Sequence, residues 1–313
     1  MASKKKVQHE FIIRTINLSK KYNRLWAVRN MDLRVERGQI FGFLGPNGAG
    51  KSTTIRMLMS LISVTKGTIE IYGMNPNYKS AAIYSRVGAL VDGSDFYHYL
   101  SGYQNLRILG DLNGHITKSR IEEVLEMVSL TEKQHEKVKK YSHGMRQRLG
   151  IAQAFLHRPE LVILDEPMTN LSPEGIRDVR EMIRYYREEY GTTFFISSHR
   201  LYEIQQICTH MAVVDEGQII VQGSVEDILQ NTEYFITEIE TNDLEKSKKI
   251  LDESELAEEI VISHQKLKIH TTPENRPAIV KLLVENNIDV STVMPRTNLE
   301  DYYLSIIKEK HKA

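Results

Sequence analysis

The segment "IFGFLGPNGAGKST", residues 40–53, restricts the fold of this chain more than any other segment. An apolar run of strand length opens it, a glycine-rich loop follows, and apolar residues at helical spacing continue after Lys51. A short apolar run bounded by glycine is typical of a buried strand. The segment therefore predicts a strand, a loop and a helix in direct succession, which is the unit that builds parallel α/β sheets.

The loop itself, residues 45–53, has the pattern G-x-x-x-x-G-K-[ST]. Glycines let successive backbone N–H groups turn toward an anion, and the start of the helix adds the positive end of its dipole. In this pattern Lys51 is expected to bridge the β- and γ-phosphates of a nucleotide, and Ser52 to ligate Mg²⁺. The alternative is a glycine turn that binds nothing, but the flanking strand and helix favour a phosphate loop.

A second apolar run, "LVILDEP" at residues 161–167, leads into two carboxylates. Asp165 is placed to hold Mg²⁺, directly or through water. Glu166 is the candidate general base that would polarise a water attacking the γ-phosphorus. An acidic pair after an apolar run would, by itself, indicate only a polar surface. The phosphate loop earlier in the chain favours the catalytic interpretation.

Strands alternate with helices through the first 230 residues, which predicts a parallel α/β sheet covered on both faces. Residues 99–158 have mostly helical patterns, and "HMAVVDEGQIIVQG" predicts two strands around a tight Glu216–Gly217 turn. Near residue 231 the sequence becomes rich in acidic residues with short β-like pieces. We therefore predict a first domain at residues 1–230 and a small α+β domain at residues 231–313, ending in a helix over "NLEDYYLSIIKEKHKA".

Composition excludes several classes of protein. Lysine and arginine together number 41, as do aspartate and glutamate, so no excess of positive charge indicates nucleic-acid binding. Cys208 is the only cysteine, which excludes an internal disulfide, and its flanks predict a small buried hydrophobic residue. No run approaches the roughly 18 apolar residues of a membrane-spanning helix, and no apolar stretch follows the N-terminal lysines as in a signal peptide. We expect a cytoplasmic protein that other chains hold at any membrane where it works.

Four motifs together resemble those of the ABC-transporter ATPases. The phosphate loop, "YSHGM", "LVILDEP" and "ISSH" follow one another in that family's order and spacing, over about residues 10–225. More narrowly, "VGALVDGSDFY", "GMRQRLGIAQAFLHRPELVILDEP" and "FISSHRLYEIQQI" are similar to the bacitracin-resistance and lantibiotic-immunity branch. The ending "LVENNIDVSTV…NLEDYYLSIIK" is similar to the small C-terminal domain of those ATPases.

The resemblance implies a P-loop ABC ATPase domain with a RecA-like parallel sheet, an N-terminal antiparallel β subdomain and a helical subdomain. It implies hydrolysis of ATP with Mg²⁺ in a head-to-tail dimer, where two ATP molecules lie between phosphate loops and opposed signature motifs. It also implies a separate membrane permease and a place on the cytoplasmic face of the membrane. The branch favours resistance to, or export of, a peptide antibiotic such as bacitracin or a lantibiotic.

Two alternatives stay open at this point. We prefer a homodimer, but a heterodimer with a second, complementary ATPase also fits the altered signature motif. An ATP-switched ABC protein that acts on ribosomes or DNA is the alternative to a transporter subunit. Against it, the chain carries a single cassette, and it contains neither a heptad run nor a cysteine cluster.

The resemblance assigns a role to each matching residue. Glu166, His199 and Lys51 would be catalytic, and Ser52, Asp165 and Asp92 would hold the metal. Tyr22 would stack on adenine, although a tyrosine in a hairpin can instead serve packing. The predicted nucleotide-contacting residues are Tyr22, Gly45, Pro46, Asn47, Gly48, Ala49, Gly50, Lys51, Ser52, Thr53, Asp92, Ser142 and Gly144.

Several positions depart from the family's residues. Asp92 stands where a glutamine or glutamate is usual, His143 replaces a glycine, Met145 replaces a glutamine and Ser172 replaces an aspartate. Ser142 and His143 are neighbours in the chain, which is poor geometry for a nucleophile and its base. We instead expect Ser142 to cap a helix whose N-terminus receives the ATP of another subunit.

Overall fold

The computed structural model describes residues 10–93, 95–112, 114, 116–230, 236–257, 259–263, 265–296 and 302–303. The chain divides into two units, Met1–Ser224 and Val225–Ala313, each of which is described by itself. The predicted boundary between residues 230 and 231 falls at the edge of a segment outside the described residues. No helix in the described ranges is both long and apolar enough to span a bilayer.

The first unit begins with an antiparallel sheet around a long strand. Its first elements are β1 (Phe11–Tyr22), β2 (Leu25–Met31), β3 (Arg34–Glu36), β4 (Ile40–Leu44), α1 (Lys51–Leu58) and β5 (Lys66–Ile71). β1 pairs antiparallel with β2, β3 and β5. β1 and β2 form a hairpin that places Tyr22 opposite Leu25 at its tip. This sheet is the antiparallel β subdomain expected from the resemblance.

The rest of the first unit alternates helices and strands. In chain order they are α2 (Pro76–Tyr84), β6 (Val87–Leu90), α3 (Gly102–Leu112), α4 (Lys118–Met127), α5 (His143–Phe155), β7 (Leu161–Asp165), α6 (Pro173–Tyr190), β8 (Thr193–Ser198), α7 (Leu201–Gln205), β9 (His210–Asp215) and β10 (Gln218–Ser224). The central sheet has the order β10-β9-β4-β8-β7-β6. All its pairings are parallel except that of the edge strand β10 with β9. The predicted α/β class with a parallel core is thus confirmed.

The central strands are buried on both faces, as continuous apolar runs predict. Every residue of β4 and of β8 is buried. Phe195 of β8 stacks on Phe41 of β4 and lies tilted against Phe43, with ring centroids 5.8 and 5.2 Å apart. Because β4, β7 and β8 run parallel, their carboxyl ends meet at one edge of the sheet. The three sequence motifs that follow these strands therefore come together.

Two smaller predictions about this unit also hold. The turn between β9 and β10 uses Glu216 and Gly217 with φ of 47° and 77°, the left-handed pair of a tight hairpin turn. Cys208 is buried in the short connection between α7 and β9. Burial in apolar surroundings raises the pKa of its thiol, so the side chain behaves as the small hydrophobic residue that the sequence predicts.

The second unit contains α8 (Val225–Gln230), β11 (Ile236–Thr241), α9 (Leu244–Asp252), β12 (Glu259–Ser263), β13 (Lys266–His270), α10 (Arg276–Glu285) and β14 (Val290–Arg296). From β11 onward the order β-α-β-β-α-β and the antiparallel sheet β12-β13-β11-β14 match the ferredoxin-like arrangement. The unit has its own apolar core, which includes Ile239, Leu251, Leu267, Ile279 and Leu283. The helix predicted over residues 298–313 lies outside the described residues except for two helical positions, Tyr302 and Tyr303.

Candidate nucleotide-binding and catalytic site

The phosphate loop between β4 and α1 is shaped by its glycines. Gly48 and Gly50 have φ of 85° and 98°, left-handed values that favour glycine. A Cβ added to Gly45 would lie 2.2 Å from the carbonyl oxygen of Val214, whereas one added to Gly48 would meet no atom within 4 Å. The outer side of the loop is therefore open to a ligand while its inner side is tightly packed.

The remaining residues of the loop continue directly into α1. No side chain caps this helix, so its N–H groups stay available for an anion. Pro46 and Asn47 are exposed at the tip of the loop and Ala49 is buried beneath it. The predicted Ser52 and Thr53 lie in the first turn of α1 and are half-buried. This cradle of glycines and free N–H groups fits the phosphates of a nucleotide.

Lys51 is a nearly buried cation at the base of the loop, with 6% of its side chain exposed. Its ammonium donates to the carbonyl oxygens of Gly45 and Pro46, at 2.7 and 3.2 Å. It also lies 3.6 Å from Oε1 of Glu166. The backbone of the loop thus aims the ammonium, and a carboxylate balances its charge.

Glu166 is held through both its backbone and its carboxylate. Its φ is 49°, and its N–H donates to the carbonyl and hydroxyl oxygens of Ser197, at 3.2 and 3.1 Å. Its carbonyl oxygen accepts from the amide of Gln147 at 3.2 Å. The carboxylate Oε2 lies 2.9 Å from Nδ1 of His199. The predicted catalytic residues Lys51, Glu166 and His199 are therefore in mutual contact through Glu166.

Asp165, the last residue of β7, lies opposite Ser197 in the register of β7 and β8. Its Oδ1 accepts a short hydrogen bond from the Ser197 hydroxyl. Carboxylate and hydroxyl oxygens are the ligands that Mg²⁺ prefers, usually together with water and substrate phosphates. Ser52 and Asp165 at this edge of the sheet fit such an ion. No cluster of three or more His, Cys, Asp or Glu side chains able to hold a metal occurs among the described residues.

Asp92 has a different partner from the one that the resemblance implies. Both of its carboxylate oxygens accept from Arg56 of α1, with distances of 2.7 Å to Nε and 2.6 Å to Nη2. Asp92 follows β6 and has φ of 58°. In the described conformation its two oxygens therefore serve a guanidinium.

Tyr22 is accessible at the tip of the hairpin formed by β1 and β2, with 43% of its surface exposed. The ammonium of Lys20 lies 5.1 Å from the centroid of its ring. Lys20 therefore covers one face of the Tyr22 ring, and the adenine role of Tyr22 stays a prediction.

Ser142 and Gly144 lie at a different place from the phosphate loop. Ser142 is the N-cap of α5, since its hydroxyl accepts from the N–H of Met145 at 3.1 Å. A Cβ on Gly144 would lie 2.9 Å from the carbonyl oxygen of Asn170. A cavity of about 790 Å³ opens here, lined by residues within 129–133, 142–148 and 170–172. The predicted cap is present, and the structure does not bring it to the Lys51 cluster of its own chain.

Ser172, in the position of the usual aspartate, caps the next helix. Its hydroxyl accepts from the N–H of Gly175 at 3.2 Å, at the start of α6. The serine therefore keeps the helix-capping part of what an aspartate at this position can do. His143, the first residue of α5, is exposed beside the cavity.

Known proteins are similar to this chain along nearly its whole length. The family model described as ABC transporter matches residues 28–169. The bacitracin transport ATP-binding protein BcrA of Enterococcus faecalis is 36% identical over 299 residues, which are 95% of this chain and 97% of that protein. The chain belongs to the ABC-transporter ATP-binding family. BcrA of Bacillus licheniformis is 38% identical over 298 residues, again 95% of this chain and 97% of that protein.

Solved structures of ABC cassettes share the fold. The cassette MJ0796, in a dimeric post-hydrolysis state bound to ADP and Pi, has a TM-score of 0.64 at 20% identity and covers 68% of this chain and 98% of its own. The protein is therefore the ATP-binding subunit of an ABC transporter, and it hydrolyses ATP.

The sequence analysis did not predict two residues of the site. The hydroxyl of Ser197 donates to Asp165 and accepts from the backbone N–H of Glu166. Gln147 holds the carbonyl oxygens of Glu166 and Pro167, at 3.2 and 3.1 Å. A hydroxyl at the carboxyl end of the apolar strand β8 was a usable signal for Ser197, because β8 was expected to reach the same edge as β7. The contact of Gln147 depends on how α5 packs, which no local pattern encodes.

Proposed function

We propose that this ATPase subunit powers a separate membrane permease that exports a peptide antibiotic of the bacitracin or lantibiotic type. Support for the cargo comes from the two BcrA relatives, each named a bacitracin transport protein and matched over 95% of this chain. Under this proposal the protein works on the cytoplasmic face of a bacterial membrane and gives resistance to the antibiotic. In this proposal the path of the substrate belongs to the permease.

The observation that carries the proposed chemistry is the position of the Glu166 carboxylate between the Lys51 ammonium and the His199 imidazole. Oε1 faces the Lys51 ammonium at 3.6 Å, and Oε2 faces the His199 ring at 2.9 Å. When the phosphates of ATP occupy the loop, they replace the carboxylate as the partner of Lys51. Oε1 of Glu166 can then accept a proton from the attacking water, while a new oxygen–phosphorus bond forms and the bond to the β-phosphate oxygen breaks.

His199 positions the base in this scheme. With its proton on Nδ1, the ring donates to Oε2 of Glu166, and this contact does not use Nε2. Lys51 stabilises the negative charge on the transferred phosphoryl group. A bound Mg²⁺ would neutralise charge on the phosphate oxygens, and Ser52 and Asp165 are the residues that would hold it. Tyr22 would stack on the adenine.

Dimerisation completes the proposed site. Ser142 and Gly144 lie at the N-terminus of α5, beside an open cavity and away from the Lys51 cluster. We assign them to the γ-phosphate bound by a second copy of the chain, so that ATP forms part of the interface. Two copies of this chain would form a complete homodimer, because each copy carries all four of the proposed hydrolysis residues, Lys51, Asp165, Glu166 and His199.

Glu166→Gln tests the chemistry and the transport role together. The amide keeps the shape of the side chain but cannot take a proton, so we expect ATP binding to persist while turnover falls by about 10²–10⁴-fold. Cells that express the permease with the wild-type ATPase should tolerate more bacitracin than cells with the variant. ATP hydrolysis and the minimal inhibitory concentration of bacitracin are the two measurements.

The two readouts separate the parts of the proposal. Near-normal hydrolysis by Glu166→Gln would contradict the role of Glu166 as the base. If hydrolysis falls as expected but the two strains tolerate bacitracin equally, the proposed cargo is contradicted and the catalytic role of Glu166 is not. Arg177→Gln, which changes an exposed residue of α6, is the matched control and should alter neither readout.

A further inference from the structure

The ion pair between Arg56 and Asp92 is bidentate, like the pair between Arg86 and Glu160. Nε of Arg56 donates to Oδ2 of Asp92 at 2.7 Å, and Nη2 donates to Oδ1 at 2.6 Å. The parallel geometry matches the planar fork of a guanidinium to a carboxylate. Asp92 and Gly93 have consecutive positive φ values of 58° and 82°, so the pair closes over a tight backbone turn.

Arg56 lies close to the phosphate loop along α1. The hydrogen bond from Arg56 to Asp92 is the main cause that raises the pKa of the guanidinium above its ordinary value. Arg56 belongs to α1, which begins at Lys51. Arg56 follows Ser52 by four residues and so lies on the same face of the helix. Asp92 follows β6, whose Leu90 pairs with Leu164, the residue before Asp165.

The same two oxygens of Asp92 cannot serve the guanidinium and a cation at once. Each oxygen has a short contact to Arg56, and a divalent cation would be repelled by the guanidinium that occupies the carboxylate. The pair is 39% and 45% exposed on its two sides. Water reaches it, so its exchange costs little and the cation can compete.

We propose that Arg56 is a positioning residue that holds Asp92 away from the metal, and that Asp92 joins the Mg²⁺–ATP site only by exchanging the guanidinium for the cation. This inference rests on the proposed Mg²⁺–ATP site. It assigns Arg56 a function that the phosphate-loop motif does not include. It also gives the Asp92 carboxylate two alternative partners, the guanidinium of Arg56 on α1 and the cation at the nucleotide.

The test measures the Mg²⁺ concentration needed for half-maximal ATP binding. The only tryptophan, Trp26, pairs with Lys21 in the hairpin that has Tyr22 at its tip, so its fluorescence reports binding beside the proposed adenine contact. All variants carry Glu166→Gln so that ATP is not consumed. We expect Arg56→Gln to lower the half-saturating Mg²⁺ concentration by about two- to fivefold, the scale of one exposed ion pair.

A double-mutant cycle separates the exchange from a simple change of charge. Arg56→Gln in an Asp92→Asn background should shift the Mg²⁺ requirement by less than twofold, because no carboxylate remains to be released. Arg56→Lys keeps the charge but loses the fork, and should fall between the wild type and Arg56→Gln. The control Arg177→Gln removes one positive charge from an exposed pair on α6 and should leave the requirement unchanged.

Two results would overturn the inference. One is an unchanged Mg²⁺ requirement in Arg56→Gln with ATP binding intact. The other is an equal shift with and without Asp92, which would mean that Arg56 acts by charge alone. Either result leaves the proposed ATPase standing. Failure of the Glu166→Gln parent to bind ATP would instead count against the proposed function as well.

Discussion

At the scale of single residues, Ser142 shows how one hydroxyl can have a structural and a functional role. It caps α5 by accepting from the N–H of Met145, and in the proposed dimer it also contacts the γ-phosphate of the partner's ATP. An N-cap satisfies one of the free donors at a helix start and contributes about 1 kcal/mol. The two roles predict different losses on mutation.

Ser142→Ala should lower the free energy of unfolding by about 1 kcal/mol and slow ATP hydrolysis, without weakening ATP binding by a dilute monomer. The binding site of the monomer lies at Lys51, which Ser142 does not contact. Thr117→Ala is the matched control, since Thr117 caps α4 in the same way by accepting from the N–H of Arg120. Denaturant unfolding and ATPase assays decide the outcome. Lost ATP affinity of the monomer would contradict the assignment.

A half-buried histidine, His157, makes the stability of the fold depend on pH. Nε2 of His157 lies 3.2 Å from the carbonyl oxygen of Val87, while the buried Nδ1 has no partner in the described part of the chain. Desolvation is the main cause that lowers the pKa of His157 below its ordinary value. The unfolded chain therefore binds a proton at a higher pH than the folded one does. The contribution of this site to stability is complete above about pH 6.5 and is lost as the pH falls below it.

His157→Gln should flatten that dependence. We expect the melting temperature of the wild type to fall more between about pH 7.5 and pH 5.5 than that of the variant, because only the wild type binds the extra proton on unfolding. Thermal unfolding at the two pH values measures the difference. His143 is exposed, so His143→Gln is the control and should behave like the wild type. Parallel pH profiles of the wild type and His157→Gln would contradict the prediction.

At the scale of elements, the phosphate loop tolerates change on one side only. Gly45→Ala would bring a Cβ to 2.2 Å from the carbonyl oxygen of Val214 in β9. We expect this clash to cost about 3 kcal/mol and to weaken ATP binding, since the loop must shift away from the sheet. Gly191→Ala, at an open left-handed position after α6, should cost only about 1 kcal/mol and leave ATP binding intact. Equal losses from the two substitutions would show that the packing under Gly45 is not limiting.

The elements also show where sequence reasoning succeeds. β4, β7 and β8 are apolar runs that end in chemically distinct motifs, so the sequence alone predicts that Lys51, Glu166 and His199 meet at one edge. The contact between Arg56 and Asp92 joins residues 36 positions apart, and it depends on the turn after β6. Gln147 likewise finds the carbonyl of Glu166 only because α5 packs beside β7. Contacts of this kind arise from tertiary packing, and periodicity carries no signal for them.

At the scale of the whole molecule, each of the two units has an apolar core of its own among the described residues. All the proposed catalytic residues lie in the unit Met1–Ser224, while the ferredoxin-like arrangement belongs to Val225–Ala313. One face of the sheet in the second unit is charged, with Lys266 2.7 Å from Glu240 and 4.0 Å from Glu238. We propose that this unit serves dimer stability or regulation and takes no part in the chemistry.

Truncation after residue 230 should therefore leave ATP affinity within about twofold of that of the full chain, because the nucleotide site keeps all its proposed contacts. If the second unit stabilises the dimer, self-association of the truncated chain should weaken. Trp26 fluorescence measures the affinity, and sedimentation measures the association. An ATP-binding defect in a folded, truncated chain would contradict the separation of roles.

The length of α5 has one more consequence. Its thirteen residues span about 20 Å, and Arg120 fixes its far end by donating to the carbonyl oxygens of Phe155 and Leu156. The C-terminal end of α5 is therefore held by a guanidinium, and Ser142 lies at the opposite end. A tilt of the helix by about 5° about the held end would move Ser142 by about 2 Å, enough to break a hydrogen bond. In the proposed dimer, a substitution of Arg120 in one subunit would then slow hydrolysis of the ATP that the other subunit binds.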